Sequence, residues 1–434
     1  MKKAALHNLG CKVNAYETEA MQQILENAGY EIVPFTEIAD VYVINTCSVT
    51  NMADRKSRQM FHRAKKMNPD AIVVGAGCYV QTKEAQALVD ESIDIVIGNN
   101  QKHELVTLLN EYEKEHTKQA QIVDINHEKQ EYEELHLKKT AEHTRAFIKV
   151  QDGCNQFCSY CIIPFARGRV RSRKMEDVLN EIKGLAKSGY KEVVLTGIHL
   201  SSYGVDTGET LLSLIEHVHE IEGIERIRLG SLEPRIVTED FAKRLSELTK
   251  ICPHFHLSLQ SGCDKTLKRM NRHYTCEEYA ERCAILRKYF ENPAITTDVI
   301  VGFPGETDAD FETTREFLEK VHFYEMHVFP YSIRPGTPAA KMEQVSKAVK
   351  EERARRAAAV AEEMHRSYLE GCVGRTYPVL FEQPKNGKFF GHAPNYMEVL
   401  VDGAELHNAL RTVRITDVDG EALLGEIVEQ EAEV

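Results

Sequence analysis

Six short apolar segments recur between residues 145 and 332: "RAFIKVQ", "KEVVLTGIHL", "RIRLGSL", "HFHLSLQSG", "AITTDVIVGFP" and "YEMHVFPYS". The first five are each followed by helix-like sequence, such as "MEDVLNEIKGLAKSG" and "DADFETTREFLEKV". Parallel strands need a long crossover between them, and a helix is its usual form. Six such units predict a partial, open (β/α)6 barrel over residues 144–370, short of a closed eight-stranded one. A long charged helix within residues 341–370 ends it.

The flanking segments read differently. Over residues 1–113 the apolar runs "KAALHNLG", "VYVINTC", "AIVVGAGC" and "IDIVIGNN" alternate with the helical patterns "NAYETEAMQQILENAGY" and "ADRKSRQMFHRAKKM". Near-continuous apolar strands predict an open parallel α/β sheet with helices on both faces. Residues 114–143 lose the pattern and read as a linker or an edge hairpin. Over residues 371–434 short strands and Asp-Gly turns predict a small all-β barrel of the OB type, a shape often used on RNA.

At 434 residues the chain is long enough for two to four domains. No apolar run approaches the roughly 20 residues of a membrane span, and "MKKAALHNLGCK" lacks the apolar core of a signal peptide. A cytoplasmic location is expected. There, eleven cysteines point to ligand or catalytic roles rather than disulfides. A net charge of −13 argues against a nucleic-acid partner, but the charge is segregated. Residues 165–174 hold five basic residues and no acid, and residues 55–66 hold six and no acid. Such patches on an acidic body still bind a phosphate backbone.

Cys154, Cys158 and Cys161 in "GCNQFCSYCIIPFARG" have the spacing C-x3-C-x2-C, directly after the first barrel strand. A structural zinc site takes four closed ligands, usually as two C-x2-C pairs, and no second pair lies nearby. Three thiolates on a four-iron cube leave one iron open. An open iron takes the amine and carboxylate of a small molecule such as S-adenosylmethionine, whose one-electron cleavage is chemistry a cofactor supplies. This spacing resembles that of the radical S-adenosylmethionine superfamily. That superfamily commonly holds the methionine amine with a Gly-Gly-Glu-type turn after the second strand; here the stretch reads "TGIHL", without Glu.

Cys11, Cys47 and Cys78 end three N-terminal strands, in "LHNLGC", "VYVINTC" and "VVGAGC". The carboxyl ends of parallel strands face one crevice. Neighbouring strands lie about 4.8 Å apart, so three such thiols converge on a second cluster. Together with "LGCKVNAYETEA" and "INTCSVTNMADRKSRQ", these motifs make the chain resemble the methylthiotransferase family over essentially its whole length. Within the family it is most similar to the branch acting on threonylcarbamoyladenosine at position 37 of tRNA.

The resemblance implies a cluster domain, a radical barrel and a C-terminal β domain called TRAM. It implies two [4Fe–4S] clusters and S-adenosylmethionine. The cluster on Cys154, Cys158 and Cys161 cleaves S-adenosylmethionine, and the radical removes hydrogen from C2 of the adenine. The auxiliary cluster on Cys11, Cys47 and Cys78 carries the sulfur. The implied partners are the tRNA anticodon loop, an electron donor such as flavodoxin or ferredoxin, and a separate sulfur source. A monomer is expected.

Further residues are candidates for cofactor and substrate binding. Gln260 in "SLQSG" binds the ribose or methionine part of S-adenosylmethionine, and Asp298, Gly302 and Gly305 in "DVIVGFPGE" shape its adenosine pocket. Arg167, Arg169, Arg171 and Arg173 share one face if their stretch is extended. There they meet phosphates or the threonyl carboxylate of the base. Phe389, Phe390 and Tyr396 are candidates to stack bases. Two sister branches, acting on isopentenyladenosine of tRNA or on a ribosomal-protein aspartate, are the alternatives within the family. A zinc-stabilised RNA-binding protein is the alternative outside it.

Overall fold

The computed structural model describes residues 1–137, 144–385, 387–403 and 405–428. Its N-terminal sheet comprises β1 (Lys3–Asn8), β2 (Glu31–Ile32), β3 (Val41–Thr46), β4 (Ile72–Gly77), β5 (Ile95–Ile97) and β6 (Gln119–Gln121). All pairs are parallel, in the order β2-β1-β3-β4-β5-β6. The central strands β3, β4 and β5 are buried almost throughout because both faces are covered. Tyr42 and Ile44 pack with Phe61 and Ala64 of the helix Asn51–Met67. Val41 and Val43 pack with Met21, Leu25 and Leu109 on the other side. The sheet passes the boundary expected at residue 113, since β6 lies within the 114–143 stretch. This short polar strand ends the sheet without leaving an apolar edge. The end of that stretch, 138–143, lies outside the described residues, as do 429–434.

The central unit contains β7 (Arg145–Asp152), β8 (Arg171–Ser172), β9 (Glu192–Gly197), β10 (Arg226–Leu229), β11 (His254–His256), β12 (Ala294–Val301) and β13 (Glu325–Pro330). Ladders join β7 to β9 and β9 to β10, and likewise β11 to β12 and β12 to β13. Parallel bridges Ile227↔Ile251 and Leu232↔Leu257 connect the two sets. The six parallel strands form the expected partial barrel, and the antiparallel β8 flanks β7. Alternation along each strand separates two faces. Ile148, Val150, Leu195, Ile227 and Val299 join the surrounding helices in one core. The concave rows carry Lys149, Glu192, Arg228, His256 and Asp298. Helix Lys12–Asn27 covers them over β7, where Glu17 meets Lys149 at 2.7 Å.

After the helix Lys347–Glu370 come β14 (Thr376–Lys385), β15 (Lys388–His392), β16 (Glu398–Val401), β17 (Leu410–Asp419) and β18 (Ala422–Ile427). They close as β14-β15-β16-β18-β17 around Val379, Phe381, Val399, Val413 and Leu423. Arg226 and Arg228 dock this ring by donating to the carbonyls of His392 and Pro394 at 2.8 Å. The candidate base-stacking aromatics all make packing contacts, Phe389 and Tyr396 remaining half-buried. Phe390 is buried, and Phe389 packs against the ring's core. Tyr396 stacks on His392 and lies beneath Arg145 and Arg228. Among the described residues no helix is long and apolar enough to cross a membrane.

Candidate functional site

β1, β3 and β4 are adjacent, and each delivers one cysteine at its carboxyl end. Cys47 follows Thr46, Cys78 follows Gly77, and Cys11 lies three residues past Asn8. This strand order is flavodoxin-like, with its ligand crevice at the switch point between β1 and β3. Gly10 makes the close approach there. Its φ is +122°, and a Cβ would stand 3.0 Å from Cys47 Cβ. Asn14 ties the two loops by donating to the carbonyls of Leu9 and Thr46, each at 2.9 Å. Asn99 reaches Cys78 Sγ at 3.4 Å and donates to the Ala166 carbonyl at 2.8 Å. That second bond lands in the barrel's own cysteine loop, so the two cysteine sets meet across one junction.

The barrel loop leaves β7 through Gly153, with φ +71° and a Cβ position 1.9 Å from the Arg169 carbonyl oxygen. Ser159 fastens the loop to the 269–272 segment, its amide donating to the Met270 carbonyl at 2.9 Å and its hydroxyl to that of Arg269 at 2.7 Å. Cys154, Cys158 and Cys161 line one cavity of about 190 Å³ with Tyr160, His199, Glu233, Gln260 and Arg272. Arg272 donates to Cys158 Sγ at 3.4 Å. His199 shares a hydrogen bond with Ser202 at 2.7 Å through Nδ1, and its buried Nε2 has no partner. Gln260 holds φ +71°, a strained backbone of the kind found at functional sites.

Burial pushes the Cys47 and Cys161 thiols up to about 12, and the His199 imidazole down to about 4. Metal binding to such thiols displaces protons. Among the described residues no three His, Cys, Asp or Glu side chains gather tightly enough for a single ion. A cube with each thiolate on its own iron does not require that. Two sets of three thiols, one with a cation on sulfur and an unpartnered imidazole beside it, suit clusters with an open iron.

The structure brings Gln260 to this cavity but not Asp298, Gly302 or Gly305. Asp298 lies on the concave face, 3.4 Å from His256. Gly302 is pressed against Lys350, and Gly305 lies beside Arg269. The arginine run is corrected more sharply. Arg167 is fully buried and donates to Glu17 (2.8 and 3.0 Å), Asp152 (3.2 Å) and Asn14 (2.7 Å). Arg171 lies 3.5 Å from Asp152, and Arg173 pairs with Glu181. Buried carboxylates from helix Lys12–Asn27, β7 and helix Met175–Lys187 engage Arg167 and Arg173 within the protein, whereas Arg171 keeps Nε and Nη2 without hydrogen-bond partners on the wall of a cavity of about 750 Å³. Arg169 alone is exposed, lying over Phe157 at 4.6 Å.

Glu17, Asn99, His199, Glu233 and Arg272 are absent from the sequence reading. Glu17 had a signal: it lies on the buried stripe of its own helix with Val13, Tyr16 and Ala20. The others come from separate segments that only the fold brings together.

Two family models match the chain: "Uncharacterized protein family UPF0004" over residues 3–98 and "Radical SAM superfamily" over residues 148–318. A "Threonylcarbamoyladenosine tRNA methylthiotransferase MtaB" of Bacillus subtilis (strain 168) is 42% identical over 415 residues, 93% of this chain and 91% of its own. The chain belongs to the methylthiotransferase family of radical S-adenosylmethionine enzymes. Another member, a "tRNA-2-methylthio-N(6)-dimethylallyladenosine synthase" of Thermoanaerobacter sp. (strain X514), is 36% identical over 98% of this chain and 92% of its own. Among solved structures, the radical S-adenosylmethionine methyltransferase TsrM from Kitasatospora setae superposes with a TM-score of 0.56 at 17% identity. It covers 78% of this chain and 77% of its own, a likeness of fold. The two matched segments divide the family member between its cysteine sets, Cys11, Cys47 and Cys78 in the first, Cys154, Cys158 and Cys161 in the second.

Proposed function

We propose that this protein is a tRNA methylthiotransferase that converts N6-threonylcarbamoyladenosine at position 37 to its 2-methylthio form. The pair of three-cysteine sets meeting at one junction carries the reading, in a chain related along its length to proteins named for this activity. Cys154, Cys158 and Cys161 would hold one [4Fe–4S] cluster, and Cys11, Cys47 and Cys78 the other. When bound, the first supplies the electron that cleaves S-adenosylmethionine to a hydrogen-abstracting radical, and the second supplies the sulfur.

The chain's own residues bind and orient. Glu233, His199 and Gln260 face the place of S-adenosylmethionine. The Glu233 carboxylate, which already accepts from Arg235 at 2.7 Å, takes the methionine amine as a further donor, the part that the missing Glu of "TGIHL" leaves open. His199 stays neutral in its buried setting and offers Nε2 as a hydrogen-bonding group. Glu17 and Arg167 lock helix Lys12–Asn27 onto the barrel and fix the distance between the cysteine sets. His256, Asp298 and the exposed His327 lie side by side on the concave face over β11 to β13, where the adenine enters. A base cannot readily remove a ring hydrogen from adenine, so a radical route is required at C2. A small carrier such as flavodoxin or ferredoxin donates the electrons, a separate donor renews the sulfur, and the protein works as a cytoplasmic monomer.

The test is mass spectrometry of tRNA nucleosides from matched cells with and without the protein. 2-Methylthio-N6-threonylcarbamoyladenosine is expected only with it. A change in the methylthio-isopentenyl nucleoside instead would move the protein to the sister branch, and no change in either would sink the tRNA reading.

A further inference from the structure

The fold sorts the chain's two basic runs. In residues 167–173, Arg167 and Arg173 are taken up by buried carboxylates, Arg171 lies 3.5 Å from one, and Arg169 is exposed. The other run lies on the helix Asn51–Met67, whose buried face is Asp54, Ser57, Phe61 and Ala64. Helical spacing turns Arg55, Gln59, Arg63 and Lys66 to the opposite face, flanked by Lys56 and Arg58. All six are exposed.

Among the described residues Arg55, Lys56, Arg63 and Lys66 have no carboxylate partner. The helix's one acid, Asp54, points inward to Arg334 at 2.9 Å. The C-terminal ring offers a contrast. Its Arg375, Lys385, Lys388 and Arg414 are each paired with an acid within 3.2 Å. In that ring Arg411 is exposed with only a backbone carbonyl as its partner among the described residues, whereas the N-terminal sheet's helix gathers its unpaired cations in a row.

The ridge also points at the site. The helix is capped by Thr50, three residues past Cys47. Its first residue, Asn51, accepts from Arg334 at 2.9 Å, and its amide donates to Ser332 at 3.2 Å. Tyr331, next to that contact, packs on Phe303, and Phe303 packs on Tyr160 of the barrel's cysteine loop. Exposed Val49, Met52, Phe329 and Ile333 belong to these two joined segments. From Arg55 the cations run about 16 Å along the helix away from this rim.

We propose that the exposed face of helix Asn51–Met67 is the track for the phosphate backbone of the tRNA whose base enters the junction. This rests on the tRNA reading above. A row of unpaired Arg and Lys matches a polyanion, with guanidinium groups able to fork onto phosphate oxygens. On a chain of net charge −13 a local row of unpaired cations stands out as a place for a polyanion to settle.

The experiment measures binding of a tRNA carrying N6-threonylcarbamoyladenosine 37 to the full-length, cluster-loaded protein across salt concentrations. The triple variant R55Q/R63Q/K66Q keeps good helix formers. It should bind at least about tenfold more weakly at low salt. The slope of log K against log salt should fall by about 2 to 3, since each lost phosphate contact removes about 0.7 to 0.9. The charge-keeping R55K/R63K should bind like the wild type, as should K183Q/K187Q on the helix Met175–Lys187. Wild-type affinity and slope in the triple variant overturn the track, and so does an equal loss in K183Q/K187Q. A triple variant that binds tRNA normally but is reduced more slowly by flavodoxin also overturns it, giving the ridge to an acidic electron carrier. Binding is read without turnover, so a wild type that binds through the ridge yet forms no methylthio product refutes the reaction and leaves the track standing.

Discussion

Glu17 is fully buried between Arg167, Lys149 and Lys102, at 2.8, 2.7 and 3.2 Å. Burial alone would raise its carboxyl, but the three cations outweigh burial and hold it well below the usual carboxylate range. Glu17→Ala leaves those cations uncompensated in the interior. The expected loss is about 3–5 kcal/mol, read from urea unfolding; a loss no larger than that of an exposed Glu→Ala would mean the junction tolerates the charge. Arg272 poses a different question at the same scale. Its guanidinium contacts Cys158 Sγ and would stabilise the more negative, reduced state of a cluster held there. Arg272→Gln should move that cluster's midpoint potential to more negative values by tens of millivolts in a potentiometric titration. An unmoved midpoint would reduce Arg272 to a packing residue.

At the level of elements, the turns that end strands decide whether cysteines converge. Gly153 is the sharpest case, because any Cβ would overlap the Arg169 carbonyl. Gly153→Ala should displace Cys154 and empty one site, so that iron falls from about eight to about four per chain while the N-terminal cluster's absorption persists. Retention of full iron would show that the loop can relax. The strands themselves were legible in the sequence. "VYVINTC" is apolar because both faces of β3 are covered, and the six barrel segments alternate because only one face packs under helices. The cysteine sets were legible for the same reason, since strand ends fix where they stand. The arginine run was not. Alternation predicted a shared face but said nothing of Glu17, Asp152 and Glu181, which meet those side chains from elements distant in sequence. The cavity residues His199, Glu233 and Arg272 escaped notice likewise, each being one polar residue at the end of a different element.

On the scale of the whole molecule, both domain junctions hang on carboxylates held in their charged form. Glu17 and Asp152 join the N-terminal sheet to the barrel, and Glu192 holds Arg226 and Arg228 where they grip the C-terminal ring. The paired cations outweigh burial at each, lowering Asp152 below the usual carboxylate range and Glu192 to about 2. In an unfolded chain these groups titrate near 4. The sign follows: above about pH 5 both states are ionised and the stabilisation is complete, while below about 4 the unfolded chain takes up protons that the native one refuses. Thermal stability should therefore fall steeply between about pH 4 and 2, with all three units loosening together because the same charges join them. The double variant E17Q/E192Q should be less stable than the wild type at pH 7 and lose less on acidification, so that the two melting curves converge towards pH 3. Parallel curves in calorimetry at matched pH would place the acid sensitivity elsewhere and strip these junctions of their role as the molecule's common hinge against unfolding.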